Sequence, residues 1–288
     1  MFKGSFVAIV TPFKNGRLHE ESLRELVQMH IANGTSGIVP CGTTGESATL
    51  TPEEHKKVIE TVISETAKKI PVIAGTGSNN TKEAIEYTKH AYNAGADAAL
   101  VITPYYNKPT QEGLYYHYKA IATEVPIPIV VYNVPGRTGV SIEPETVARL
   151  SELSNIVAIK EASGQMDQIS KIMSLCGITV LSGDDSMTMP IMAIGGSGVI
   201  SVIANIVPAD MKELTSAMED GDIESARELH YKLFDLCKVM FIETNPIPIK
   251  TAMAMKGMIE EEFRLPLVSP TEKSRSLIKR QLEQYGLL

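Results

Sequence analysis

The stretch Ile156-Val157-Ala158-Ile159-Lys160-Glu161-Ala162-Ser163 is short, apolar and β-branched until it meets a single lysine. Strand alternation sets Ile156, Ala158 and Lys160 on one face and Val157 and Ile159 on the other. Apolar residues on both faces mark a parallel strand that is covered on two sides. An ammonium at the end of such a strand must be paired, must snorkel to water, or must lose its proton. A neutral amine attacks carbonyl carbon, so the third case is the chemistry of a Schiff-base enzyme. This stretch alone leaves the first two open, with Glu161 as the adjacent partner. Val157-Ala158-Ile159-Lys160 also spells the strand motif of protein kinases. No glycine-rich loop precedes it, and neither His-Arg-Asp nor Asp-Phe-Gly follows, so that reading is excluded.

Seven runs of the same character surround it, at 5–11, 37–42, 71–76, 98–103, 128–134, 179–182 and 198–203. Together with 156–160 they make eight, with starts 19 to 34 residues apart and a helical pattern in each gap. Strand and helix alternating eight times predict an α/β fold, a (β/α)8 TIM barrel. The helix starts are marked chemically. Thr51-Pro52-Glu53-Glu54 offers a cap, a proline at the first helical position and a capping-box glutamate. Asn80-Thr81-Lys82-Glu83 repeats the cap-and-glutamate spacing, and Gly34 and Gly95 follow the last apolar turns of two helices.

After the eighth run, Pro208 opens a helix that should stop near Gly221. From Asp222 to about Glu243, apolar residues recur at three- and four-residue spacing (Ile223, Ala226, Leu229, Leu233, Leu236, Met240). Asn245-Pro246-Ile247-Pro248 breaks this helix, another runs to Met258, and a last one begins near Pro270-Thr271. The expectation is a catalytic barrel over 1–224 and a C-terminal helical region over 225–288, packed on the barrel because its apolar stripes need a partner.

Composition narrows the function. In 288 residues, 27 Lys and Arg face 34 Asp and Glu, a net charge of −7, and no dense basic stretch occurs. Nucleic acid and an acidic membrane surface are therefore poor partners. No apolar run approaches the roughly 20 residues of a membrane helix, and Met1-Phe2-Lys3-Gly4 has no signal-peptide profile; a soluble, cytoplasmic protein is expected. Cys41, Cys176 and Cys237 are far apart, and the six histidines form no metal-binding spacing, so nothing calls for a disulfide, a metal or another cofactor.

Barrel active sites lie at the carboxyl ends of the strands. Those ends read Thr11; Gly42-Thr43-Thr44-Gly45-Glu46-Ser47; Gly75-Thr76-Gly77; Thr103-Pro104-Tyr105-Tyr106; Tyr132-Asn133; Lys160-Glu161; Gly183-Asp184-Asp185. The set is rich in hydroxyls, which relay protons and hold carboxylates without charge. Thr43 and Thr44 could equally form a tight loop, Tyr132 could be a core aromatic, and Arg137 a solvated loop charge. Their joint placement at one barrel mouth favours chemistry. Strand eight leads into Ala204-Asn205-Ile206-Val207-Pro208 without a glycine, and Gly195-Gly196-Ser197-Gly198 precedes that strand, so an unphosphorylated substrate is expected.

At these residues the chain resembles the N-acetylneuraminate lyase superfamily and, within it, the bacterial dihydrodipicolinate synthase (4-hydroxy-tetrahydrodipicolinate synthase) family. The likeness runs from Gly4-Ser5-Phe6-Val7-Ala8-Ile9-Val10-Thr11-Pro12 to Asn245-Pro246-Ile247-Pro248-Ile249-Lys250. Gly42-Thr43-Thr44-Gly45-Glu46-Ser47 and Ile159-Lys160-Glu161-Ala162 mark the superfamily; Tyr132-Asn133-Val134-Pro135-Gly136-Arg137-Thr138-Gly139 marks the synthases. The resemblance implies condensation of pyruvate with L-aspartate 4-semialdehyde in the diaminopimelate route to lysine, with no cofactor beyond an imine on Lys160. It implies that Tyr132 donates and accepts protons, and that Thr43 links it to Tyr106 from a neighbouring subunit. Thr44 and the main chain at Ile200 would hold pyruvate, and Arg137 the semialdehyde carboxylate.

The same resemblance implies a homotetramer built as a dimer of dimers, for which the aromatic pair Tyr105-Tyr106 beside Pro104 is an interface-type loop. It also implies an L-lysine effector site at Ser47, Ala48, His55, Asn79, Glu83 and Tyr105. There Glu83 would meet the ligand ammonium, although it also fits a capping box and His55 fits an exposed helical position. Pro52 stands where some lysine-sensitive members carry a histidine, which removes one contact. Two other readings stay open, a sister pyruvate aldolase acting on another 2-keto acid and a non-catalytic 2-keto-acid-binding barrel.

Overall fold

Eight parallel strands carry the chain in order: β1 (Gly4–Ala8), β2 (Gly37–Val39), β3 (Ile73–Gly75), β4 (Ala98–Ile102), β5 (Ile129–Asn133), β6 (Ile156–Glu161), β7 (Thr179–Ser182) and β8 (Gly198–Ser201). The computed structural model describes residues 2–288. Neighbouring strands pair in the order β2-β1-β8-β7-β6-β5-β4-β3, and a parallel bridge between Ile38 and Val72 joins the two ends of that series into a barrel. Each strand falls inside or within a residue of its expected run; six are shorter, β7 matches its run and β6 extends one residue further to Glu161. The barrel ladder stops where the chain must turn outward toward the helices.

The wall helices are α1 (Glu20–Ala32), α2 (Pro52–Thr66), α3 (Thr81–Ala94), α4 (Gln111–Glu124), α5 (Pro144–Ser151), α6 (Met166–Leu175), α7 (Thr188–Ala193) and α8 (Pro208–Asp220). Then come α9 (Ile223–Val239), α10 (Ile247–Met255) and α11 (Glu272–Tyr285). At α2 the capping box forms in full: Glu54 N–H donates to the Thr51 hydroxyl, and Thr51 N–H donates to the Glu54 carboxylate. At α3 it does not. Asn80 caps Lys82 N–H, but Glu83 accepts from the Ser78 hydroxyl, and Asn80 N–H is taken by the same Ser78 oxygen. Serine two residues before the cap outcompetes the glutamate for the orphan donor.

Alternation divides the core. Phe6, Ala8, Val39, Ile73, Leu100, Val130, Ala158, Leu181 and Ile200 fill the barrel interior. The opposite strand faces pack on the helices, and the cluster around Val7 and Ile38 continues through α8 to Leu229, Leu233, Leu236, Ile278 and Leu282 of α9 and α11. Burying each such side chain contributes about 1.5–3 kcal/mol before chain entropy is counted, enough to hold these helices against the wall.

A small hairpin, Phe13–Lys14 against Arg17–Leu18, interrupts the chain between β1 and α1. Asn15 and Gly16 turn it with φ of 53° and 77°, the two left-handed residues of a hairpin turn. Phe13 at its start is fully buried and reaches the C-terminal helices.

Candidate active site

Tyr132 of β5 and Lys160 of β6 are register partners, so their side chains leave adjacent strands at one level. Lys160 is 5 % exposed and Tyr132 6 %. The amine stands 4.3 Å from the centre of the tyrosine ring. Among the described residues no carboxylate lies within the 4.0 Å ion-pair distance of Lys160 Nζ. Glu161 does not pair with it. It accepts from Asn133 Nδ2 at 3.1 and 3.2 Å, Ser163 N–H at 2.7 Å and Gln168 Nε2 at 3.0 Å, all on the other face of the strand. The amine is thus neither snorkelling nor ion-paired.

Gly183, just past β7, makes room for it. A Cβ there would stand 3.1 Å from Lys160 Cε and 2.7 Å from Ala162 Cβ. The space so kept is a cavity of about 120 Å³ lined by Thr43, Thr44, Tyr132, Arg137 and Lys160 together with Asn245, Asp184, Phe241 and Val202. Five residues expected from the strand ends therefore share one pocket.

Thr44 is buried, and its hydroxyl accepts from Asn245 Nδ2 at 3.0 Å. Arg137 sits in a helical turn, Pro135–Thr138, directly after β5. Its Nη2 donates to the Asn245 carbonyl at 3.0 Å, which aims the guanidinium over the mouth. The loop carrying the threonines is braced from β1 by Thr11, whose hydroxyl donates to Gly45 O at 2.7 Å. Asp184 turns its carboxylate to Ser186 N–H and Oγ at 2.9 and 2.8 Å. Asp185 is buried, with Oδ2 accepting from Val202 and Ile203 N–H at 3.0 and 3.2 Å and Oδ1 without a partner. Burial pushes its carboxyl up to about 6.

Ile200 lies in β8, fully buried, with its side chain in the barrel interior. Tyr106 is outside this chain's cavity: it is 90 % exposed, at a left-handed φ of 72°. Asp184 is among the strand-end residues read from the sequence, whereas no strand-end rule points to Asn245, Phe241 or Val202. Asn245 carries the clearest signal, an asparagine immediately before Pro-Ile-Pro at a helix break.

Of the positions expected around an effector, Asn79 Nδ2 donates to Tyr105 O at 3.2 Å, and Glu83 holds Ser78. Ser47 and Ala48 lie in a short 3-10 turn before α2. His55 is not exposed. It is buried and stacked on Tyr87 with ring centres 4.3 Å apart, because α3 presents that ring to α2. Burial pulls its pKa down to about 4. The Tyr87 hydroxyl is pushed up by burial and by the Glu83 and Glu53 carboxylates. A larger open groove of about 440 Å³ lies on the outer wall between α2 and α3, lined by a His90–Glu60 pair with Ile63, Ser64, Asn93 and Ala94.

No group of three or more His, Cys, Asp or Glu side chains that could hold a metal ion occurs among the described residues. No helix among them is long and apolar enough to cross a membrane.

Residues 1–285 match the model of the dihydrodipicolinate synthetase family. A 4-hydroxy-tetrahydrodipicolinate synthase of Thermodesulfovibrio yellowstonii is 61 % identical, and one of Syntrophus aciditrophicus 59 %, each over 290 residues and the full length of both chains. A chloride-inhibited dihydrodipicolinate synthase of Acinetobacter baumannii, solved with pyruvate, superposes with a TM-score of 0.98 at 48 % identity, covering all of both chains. The enzyme of Cyanidioschyzon merolae, solved with lysine bound, gives 0.97 at 39 % identity and covers 100 % of this chain and 99 % of its own. Motifs, barrel and comparisons agree: the chain belongs to the dihydrodipicolinate synthase family.

Proposed function

We propose that the chain carries out the reaction for which its family is named, condensing pyruvate with L-aspartate 4-semialdehyde to 4-hydroxy-tetrahydrodipicolinate, through an imine on Lys160. The observation that carries this reading is the buried, unpaired Lys160 amine, set against Tyr132 in a cavity closed by Thr43, Thr44 and Arg137. The amine attacks C2 of pyruvate, and loss of water leaves the imine. Removal of a C3 proton gives an enamine, whose C3 forms the new bond to the aldehyde carbon of the semialdehyde. The semialdehyde amine then displaces Lys160 at C2 and closes the ring. Tyr132 is the proton carrier beside the reacting carbon, Thr43 and Thr44 offer hydroxyls to it and to the pyruvate carboxylate, and the main chain at Ile200 bounds the pyruvate end. Arg137 takes the second carboxylate in a two-pronged contact. This chemistry asks for no metal or redox cofactor, and the cytoplasm is the expected compartment.

Tyr106 supports a homo-oligomer. A non-glycine residue held at a left-handed φ with its ring in water costs on the order of 1 kcal/mol, a strain that a neighbouring subunit's site would put to use. A homotetramer of two tight dimers is the arrangement we infer. The Asn79–Tyr105 contact, with Glu83 and Tyr87 beside it, supports binding of L-lysine next to the same loop, and a relative of this family has been solved with lysine bound. Sedimentation and lysine titration read these two points directly.

The reaction is tested with purified protein, both substrates and mass analysis of the product. The hydroxy-tetrahydropyridine dicarboxylate is expected. Turnover of pyruvate with a different aldehyde alone would point to a sister aldolase, and pyruvate binding without turnover to a binding barrel.

A further inference from the structure

Among the described residues one ion pair has no solvent exposure on either side. Lys250 Nζ of α10 stands 2.5 Å from Glu46 Oε1, and both side chains are 0 % exposed. The second carboxylate oxygen accepts from Arg264 N–H at 3.3 Å. The ammonium also faces the rings of Phe13 and Phe263, with centres 4.5 and 5.3 Å away. Burial pulls Lys250 below the range of a free lysine even beside the carboxylate. Such pairs rarely stabilise a fold more than apolar side chains of the same size would. Its place in the chain suggests another use.

Glu46 ends the loop that carries Thr43 and Thr44. Its N–H donates to Thr43 O at 3.1 Å, and its own backbone is left-handed, φ 52°. Lys250 is five residues beyond Asn245, with its N–H on Pro246 O at 3.0 Å. Asn245 in turn donates to the Thr44 hydroxyl and accepts from Arg137, both at 3.0 Å. The threonine loop and the C-terminal segment are therefore pinned together twice, at 44–245 inside the cavity and at 46–250 just outside it.

We propose that Glu46 and Lys250 are positioning residues, a buried clamp that fixes Thr44 and Arg137 at the carboxylate-binding end of the cavity. The proposal rests on the Lys160 imine reading. It makes the C-terminal region part of the active site, since Lys250 of the clamp and Asn245 both belong to it. Neither clamp residue touches the reacting atoms, so loosening the clamp weakens substrate positioning more than it lowers the rate of the bound complex.

The test uses the full-length protein with four variants: Lys250→Met, Glu46→Gln/Lys250→Met, Glu46→Asp and Lys250→Arg. Lys250→Met strands a buried carboxylate and should unfold at lower temperature. The double variant buries no charge and should regain most of the wild-type unfolding midpoint. It should nonetheless require about tenfold more pyruvate for half-maximal borohydride trapping, and a raised KM for the semialdehyde, with kcat changed about threefold or less. Glu46→Asp keeps the charge and withdraws it by one carbon–carbon bond, so it should show the same KM shift in a protein that keeps its pair. Lys250→Arg, which keeps a cation but changes its shape, should restore KM only in part. Wild-type KM values in the folded double variant, or in Glu46→Asp should the double variant not fold, would make the pair structural and overturn the proposal. Absence of trapping in the wild-type protein itself would instead overturn the imine reading, and the clamp with it.

Discussion

Lys160 Nζ lies 4.3 Å from the centre of the Tyr132 ring, and the two residues are direct partners across β5 and β6. The barrel register thus does what no local motif could: it fixes a nucleophile and a hydroxyl at the same height on neighbouring strands. A slip of one residue would turn Lys160 to the helix side and bring Glu161 into the cavity.

Tyr132→Phe keeps the ring against the lysine and removes only the hydroxyl. The unfolding midpoint should not change, while kcat should fall by about 10²- to 10⁴-fold, the usual contribution of a positioned proton carrier. Steady-state kinetics beside a thermal melt check this. A loss below about threefold would move the proton role to another group.

Gly183→Ala puts a methyl 3.1 Å from Lys160 Cε and 2.7 Å from Ala162 Cβ. Overpacking of this kind typically costs about 1–3 kcal/mol. Here part of the displacement falls on the lysine, so trapping by borohydride should slow about tenfold or more. Wild-type trapping in a destabilised protein would show that the lysine is not held by Gly183.

The sequence carried the barrel because its strands are buried on both faces and its helices have marked ends. Lys160, Tyr132, Thr43, Thr44 and Arg137 could be placed at one mouth because each lies at the carboxyl end of a strand or just beyond it. Asn245 and Phe241 could not, since they return to the cavity from the C-terminal region and no strand rule locates them. The Asn15-Gly16 hairpin was legible as a left-handed dipeptide but fell inside a loop that strand counting passed over. His55 looked exposed beside Lys56 and Lys57. Its burial depends on Tyr87, a ring thirty-two positions along, whose approach only the packing of α2 on α3 reveals.

Arg137→Ala should leave imine formation with pyruvate nearly intact and weaken the semialdehyde step. A guanidinium–carboxylate contact is worth on the order of 2–3 kcal/mol when partly desolvated, so KM for the semialdehyde should rise about 30- to 160-fold. Equal losses in both half-reactions would assign Arg137 to holding Asn245 instead.

Acid should destabilise the fold. Burial pulls His30 down to about 3 and His55 and His117 to about 4. The unfolded chain protonates these rings near 6.5 and the folded chain does not, so stability present above about 6.5 is lost as pH falls toward 4. From pH 7 to 5 each ring removes about 2 kcal/mol. Asp185, raised to about 6, works in the opposite sense: the folded state takes up its proton first, returning about 1.4 kcal/mol over that span. A net loss of about 4 kcal/mol should appear in denaturant titrations at the two pH values. His30→Gln should flatten the slope by roughly half of that loss. Equal stability at pH 7 and 5 would mean that these rings are charged in the folded protein.

Reduction with borohydride in the presence of pyruvate, followed by peptide mass mapping, tests the imine most directly. One reduced pyruvyl group should be found on the peptide carrying Lys160, in parallel with loss of activity, and activity before reduction should survive a chelator. An unmodified Lys160, or an adduct confined to another lysine, would contradict the account.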